Sequence, residues 1–275
     1  MKTIETLPLF PLLDKKLIEL LRSLSKDDWN TPTLAKLWTV KDIASHLLDG
    51  NLRVISLMRD GYNGMTPGAN NSYQDIVSFL NQLNADWVTA TKRLSSKVIT
   101  DLLEETGIEY HECLRKLKPF EKAMFSVAWA GEEESQNWFH IAREFTEKWH
   151  HQQQIREAVG KQGIMERKFF FPMMDTFMCA LPHTYRNTPA KEGTLINVTV
   201  TGEAGGEWKV IRREKDWTLL DKESHSCAAQ VKIPPAIAWK LFTKGIDKQT
   251  AESSIAFEGD ATLGKVVLQM VSVMA

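Results

Sequence analysis

The sequence predicts a multidomain chain, an all-α helical bundle followed by a small α+β domain. Apolar residues in the first two-thirds recur at helical spacing between polar, capped loops. After Thr188-Pro189 the pattern changes to β-branched residues alternating with polar ones. The length of 275 residues exceeds the usual single core and implies units of roughly 100–200 residues each. The expected domains are residues 1–187 and 188–275.

Leu13, Leu17, Leu20 and Leu24 set an amphipathic helix over residues 11–25. Thr39-Val40-Lys41-Asp42 has the form of a capping box and launches a helix through Asp42–Arg59, stopped before Gly61 and Gly64. Ser72-Tyr73-Gln74-Asp75 repeats the signature and starts a helix to about Leu94. A shorter helix is expected over Thr100–Leu117, weakened by Gly107. Glu132, Glu133 and Glu134 are placed at the N-terminus of a helix running to Val159, with Gly160 as its stop. Helices of this length with one apolar face each are most economically buried as a bundle. A further apolar helix near Phe169–Leu181 is expected to pack on it.

Beyond residue 190, TLINVTVTG, GEWKVIRREKDWTLLD and AAQVKIP read as strands separated by Gly and charged turns. Gly205-Gly206 reads as a tight turn, since no GxGxxG or P-loop pattern accompanies it. AIAWKLF follows Pro234-Pro235 as a short helix, and IAFEGD is strand-like. Asp260 reads as a helix-start residue, and Thr262–Met274 as a closing apolar helix.

Lys and Arg total 34 against 35 Asp and Glu, a formal net charge of −1. That balance argues against a protein that binds nucleic acid through its phosphates. No apolar run reaches the roughly 18–20 residues that cross a bilayer. The first residues, broken by Pro8 and Pro11, do not read as a signal peptide. Cys113, Cys179 and Cys227 form no CxxC, which suits a reducing cytoplasm rather than a disulfide framework. A cytoplasmic location is therefore expected. Trp29, Trp38, Trp138 and Trp149 lie near the segments of chemical interest, but the sequence does not pick which of them walls a pocket.

The most informative stretch runs from Arg143 to Gln154. Glu147 and His151 are i and i+4 on a helix and project from one face about 6 Å apart. A carboxylate and an imidazole so spaced can converge on one metal ion, and can equally form a solvated helix pair. A third ligand must come from another helix. His46 lies among Ile43, Leu47, Gly50 and Val54, near the side facing the core. It is either a core histidine bonded to the backbone or the partner that completes a His, His, Glu site with an open position. The other histidines are His111, His140, His150, His183 and His225. No G-x-S-x-G motif supports a serine hydrolase.

WTVKDIASHL and EFTEKWHHQQQIREAVG, with its closing Ala-x-Gly, resemble the two signature regions of the DinB-like superfamily. More narrowly they resemble the N-terminal domain of the mycothiol-dependent maleylpyruvate isomerases. The resemblance implies a divalent metal held by His46, Glu147 and His151, with His151 preferred to His150 because Ala-x-Gly follows at the family distance. Geometry sets His150 about 100° away. The family commonly has an Asp three residues after the last ligand, where this chain has Gln154; an amide can orient a ligand but cannot act as a base. The segment from VTGEAGGEWKVIR to FEGDATLGKVVLQMVSVMA resembles the sterol-carrier-protein-like domain attached to such enzymes.

These features point to a metal-dependent enzyme with a low-molecular-weight thiol as co-substrate. Its electrophilic partner would undergo S-transfer or thiol-assisted cis–trans isomerisation. Zn²⁺ is the expected metal, with Ni²⁺ and Fe²⁺ as alternatives. Arg143, His150 and Gln154 are the candidate catalytic or supporting residues. Two other functions use the same residues: metal-dependent hydrolysis, and non-enzymatic ligand binding with a vestigial metal site. Thiol, acceptor and oligomeric state are left open by the sequence.

Overall fold

The computed structural model describes residues 2–68, 72–220 and 226–274. The helices come first and a five-stranded sheet follows, so the predicted fold class is the one observed. By packing, the chain forms two compact units. One comprises mainly Thr6–Lys118 with Lys148–Ile164, and the other Pro119–Glu147 with Met165–Val273.

In the first unit, α1 spans Phe10–Arg22 and buries Phe10, Leu13, Leu17, Leu20 and Leu21. It ends before residue 25 because the Ser23 hydroxyl donates to the Leu20 carbonyl at 2.7 Å. Helices α2 (Val40–Met58) and α3 (Tyr73–Thr91) both start at the expected capping boxes. Thr39 and Ser72 accept from the amides of Asp42 and Asp75, whose carboxylates accept the cap amides in return. Helix α4, Ser96–Arg115, begins four residues earlier than predicted because Ser95 caps it through the Val98 amide. It runs unbroken through Gly107, where a Cβ would come within 3.1 Å of the Asp14 carboxylate. The glycine there permits close approach to α1 rather than weakening the helix. Helix α2 packs on both α3 and α4, and α1 on α4. Their shared core includes Leu17, Val40, Ile43, Leu48, Ile99 and Leu103. Each such side chain contributes on the order of 1.5–3 kcal/mol when fully buried.

Helix α5, Asn137–Ala158, supplies Ile155 to that core from its second half. Gly160 follows it with φ +66, the left-handed geometry that closes a helix. Its start corrects the sequence reading. Glu132 accepts from the Ser135 hydroxyl and Glu134 pairs with Lys122, so the acidic run builds a preceding loop and not the first turn. An isolated bridge between Lys122 and Gln136 fixes that loop.

In the second unit, strands β1 (Leu195–Val200), β2 (Gly206–Arg212), β3 (Trp217–Leu220), β4 (Ala229–Ile233) and β5 (Ala256–Gly259) form one sheet ordered β3-β2-β1-β4-β5. Only β1 and β4 run parallel, joined in register through Val198 and Val231. The expected turn before β2 closes through the Gly205 amide and the Gly202 carbonyl at 3.1 Å. Helix α6, Arg167–Met178, expected to pack on the bundle, instead belongs to this unit. Its Asp175 accepts from the Trp208 indole at 2.7 Å, and Phe171 stacks on the same ring. Helix α7 spans Leu181–Tyr185, α8 Pro235–Phe242 and α9 Lys248–Glu252, the last not foreseen and capped by Asp247.

The C-terminal segment is a second correction. Asp260 does cap a helix, but α10 covers only Ala261–Lys265 and passes into a 3₁₀ turn over Val266–Gln269. Val267, Leu268, Met270 and Val273 are all buried, so the segment is apolar without a helical stripe. Its β-branched residues resist helix formation, and Ser272 takes non-helical bonds to the Phe242 and Phe177 carbonyls.

Candidate metal centre

Residues 31–39 lead into α2 under tight local control. The Val40 amide donates to the Thr31 carbonyl at 3.0 Å and the Thr33 amide to the Trp38 carbonyl at 3.1 Å. This turn sets the Trp38 ring 4.9 Å from that of His46, two turns into the helix. The capping box fixes where α2 begins and hence which way His46 faces.

His46 meets His151 edge-on, with ring centroids 4.7 Å apart and planes 74° from each other. Trp38 lies 6.3 Å from His151 as well and so walls both imidazoles. On α5, Glu147, His150 and His151 offer ligand atoms all within 4.8 Å of one another. The His150 ring is 3.9 Å from the His151 ring. The roughly 100° offset read from the helix therefore does not keep His150 away. The structure brings Glu147, His150 and His151 together as one possible ligand set and sets His46 against His151.

Gln154 is buried one turn beyond His151, its amide oxygen 2.9 Å from Nδ1. An Nδ1–H donated to that oxygen leaves the Nε2 lone pair available. His46 Nδ1 is buried and has no hydrogen-bond partner among the described residues, a costly state for a ring nitrogen unless something else satisfies it.

The electrostatics follow from burial. It holds His46 well below the ordinary histidine range, with added push from the His151 and Arg53 charges. Burial does the same to His151, reinforced by His150 and opposed by the Gln154 bond. Glu147 is pushed up to about 7 by burial, Arg143 lowering it and Glu144 raising it. Two neutral imidazoles and a carboxyl reluctant to ionise alone make a donor set that a divalent cation relieves, and two nitrogens with one oxygen suit zinc.

Arg143 stands one turn before Glu147. Its Nη2 donates to His140 Nδ1 at 2.9 Å and also reaches Glu144, while its Nε is buried without a partner. The remaining described histidines stand apart: His111 beside Glu112 on α4, and His183 against Gly131. His225 lies outside the described residues. A separate groove of about 400 Å³ between α1 and α4 is lined by Pro11, Asp14, Ile18, Gly107 and His111 and touches none of this chemistry. Trp38 is the site residue that sequence reasoning did not single out. Its position directly before the Thr39 cap, where an apolar residue staples a helix start, was the available signal.

The neutral His140 is a testable feature. Burial first, then Arg143, lowers it to about 4, with Glu144 opposing. An unfolded histidine titrates near 6.5, so between these values the unfolded chain binds more protons. The stability contributed by the neutral ring is complete above pH 6.5 and is lost as pH falls toward 4. The ceiling is about 3 kcal/mol over that window. Urea unfolding of chelator-treated protein at pH 7.5 and pH 5 is expected to show a smaller loss for His140→Asn than for wild type. Equal losses would contradict the buried neutral state.

The protein is of a definite class: a helical bundle with a histidine and carboxylate cluster of metal-ligand type, followed by a mainly antiparallel sheet. Residues 10–156 match the model of the mycothiol maleylpyruvate isomerase N-terminal domain, and the chain belongs to that family. Among solved structures, it is similar to a histidine-to-alanine mutant of the mycothiol-dependent maleylpyruvate isomerase. The identity is 10% and the TM-score 0.57, over 94% of this chain and 93% of that one. The crystal structure of the mycothiol-dependent maleylpyruvate isomerase itself is similar at 11% identity and a TM-score of 0.55, over 88% of each chain. At such identities the likeness is one of fold. No curated protein matches the sequence, and among the described residues no helix is long and apolar enough to cross a membrane.

Proposed function

We propose that the protein is a thiol-dependent isomerase whose thiolate adds to a cis double bond, permits rotation and is eliminated. His46, Glu147 and His151 would hold a divalent metal, zinc by their donor types. The observation that carries this reading is the meeting of His46 and His151 at 4.7 Å, both neutral, with Glu147 one turn away on α5. A bound metal supplies one thing, a lowered thiol pKa that yields thiolate at neutral pH.

The remaining work falls to the chain. Gln154 fixes the tautomer and tilt of His151. Trp38 covers both imidazoles and excludes water from their flank. Arg143, held by His140 and Glu144, brings positive charge to the Glu147 side, where it steadies the carboxylate form. His150 is assigned to outer support, close enough to exchange a proton with a bound molecule. Gln154 cannot serve as a base, which leaves His150 as the nearest group able to do so. In this reading the chemistry belongs to residues 1–187, with residues 188–275 as a smaller attached module.

The test is maleylpyruvate isomerisation by the zinc-loaded protein with mycothiol present and absent. Turnover is expected only with the thiol. Conversion that continues unchanged without thiol would favour water activation, and no conversion under either condition would favour a binding role.

A further inference from the structure

The face of α2 beyond His46 has features that neither packing nor metal binding explains. Residues 46, 50 and 53 fall within about 60° of one another around the helix, in a row about 10 Å long. The middle position is Gly50. Glycine inside a helix is destabilising relative to alanine by roughly 1 kcal/mol, so its presence needs a reason. Packing does not supply one: a Cβ built there meets no atom of the described residues within 4 Å. The space over Gly50 is open, between a partly buried histidine and an arginine.

Arg53 is arranged to use that space. Its Nε lies 3.3 Å from the buried Asp49 carboxylate, an ion pair without hydrogen-bond geometry that sets the charge on this side of the helix. Both Nη nitrogens make no hydrogen bond to any described residue. A guanidinium paired with a carboxylate only by charge keeps its N–H donors for a second carboxylate. Helical side chains lean toward the N-terminus, and Arg53 follows that direction back to Asp49, the residue beside Gly50.

We propose that the row His46, Gly50, Arg53 is the lane for a small carboxylate-bearing ligand, with Arg53 as the residue that selects the anion. The carboxylate belongs either to the electrophile or to the thiol. The inference rests on the metal reading only for what holds the ligand's other end.

Two pairs of probes separate the sources. Maleate and N-acetylcysteine carry the carboxylate on an electrophile-like and a thiol scaffold; dimethyl maleate and N-acetylcysteamine lack it. Calorimetric titration of the zinc-treated full chain is run on wild type, Arg53→Met, Arg53→Lys and Gly50→Leu, with zinc content measured for each. At least one acid is expected to bind wild type in the millimolar range or better. It should weaken about tenfold or more in Arg53→Met and less in Arg53→Lys, while its uncharged counterpart is unchanged. The acid that responds identifies the source. Gly50→Leu is expected to lose the same binding with no fall in Tm, whereas a structural glycine would show a lowered Tm.

The lane is overturned if neither acid binds wild type or if both bind Arg53→Met equally well. It is also overturned if Gly50→Leu lowers Tm while leaving acid binding intact. Wild type that takes up no zinc fails the metal reading alone; Arg53-dependent binding of an acid in that same protein still supports the lane.

Discussion

His151→Ala is expected to reduce bound zinc from about one ion per chain to a trace, with the helical circular dichroism nearly unchanged. The two halves of this expectation have separate causes. Loss of an outer-shell partner typically costs about 10–100-fold in metal affinity, and loss of a direct ligand from a three-residue set costs more. Alanine is meanwhile the best helix former, and α5 is 22 residues long. His46→Ala should behave alike, since it removes the nitrogen contributed by a different helix. His150→Ala is the discriminating variant because Glu147, His150 and His151 also cluster within 4.8 Å. A ten- to hundredfold weakening there assigns His150 to support. Complete loss in His150→Ala, with His46→Ala still holding zinc, would make the α5 cluster the centre and displace His46. Elemental analysis after exhaustive dialysis against zinc reads all three.

Features encoded within a few residues were legible before the structure. Thr39 and Ser72 each sit three residues before an Asp, and a capping box is made entirely of that tetrapeptide, so both helix starts could be read directly. The same locality explains the errors. Glu132–Glu134 has the composition of a first turn, but its charges are taken by Lys122 and Ser135, partners fixed by how the loop folds back. The segment 262–274 is apolar like a helix, yet its buried residues follow no helical stripe, and the Ser272 amide and hydroxyl are claimed by carbonyls about 30 and 95 residues away. At the candidate site, Glu147 and His151 were legible because a helix converts sequence spacing into a face. The burial of Gln154 against His151 and the placement of Trp38 over His46 depend on rotamers and on a loop. The return of His150 toward the cluster is of the same kind, a side-chain torsion that backbone periodicity does not contain.

Trp149→Ala is expected to be the most destabilising substitution near the centre, at about 3–5 kcal/mol for loss of a buried tryptophan. The ring has no exposed surface, and its indole N–H donates to the Ile164 carbonyl at 3.1 Å, tying α5 to the chain that leaves it. Since whole domains are stable by only about 5–15 kcal/mol, the loss takes a large share of the total and should lower Tm by on the order of 10 °C. Trp149→Phe fills most of the volume but orphans the carbonyl, so about 1–3 kcal/mol is expected. Zinc then links this packing to function. A ligand at 100 times its Kd adds about 2.7 kcal/mol to the folded state, and Trp149 lies between residues 147 and 151 without being a ligand. Zinc should therefore restore much of the Tm lost in Trp149→Ala and none of that lost in His151→Ala. Equal rescue of both would mean that the ion binds elsewhere, and a Trp149→Ala loss below about 1 kcal/mol would mean that this turn of α5 is not held by its core.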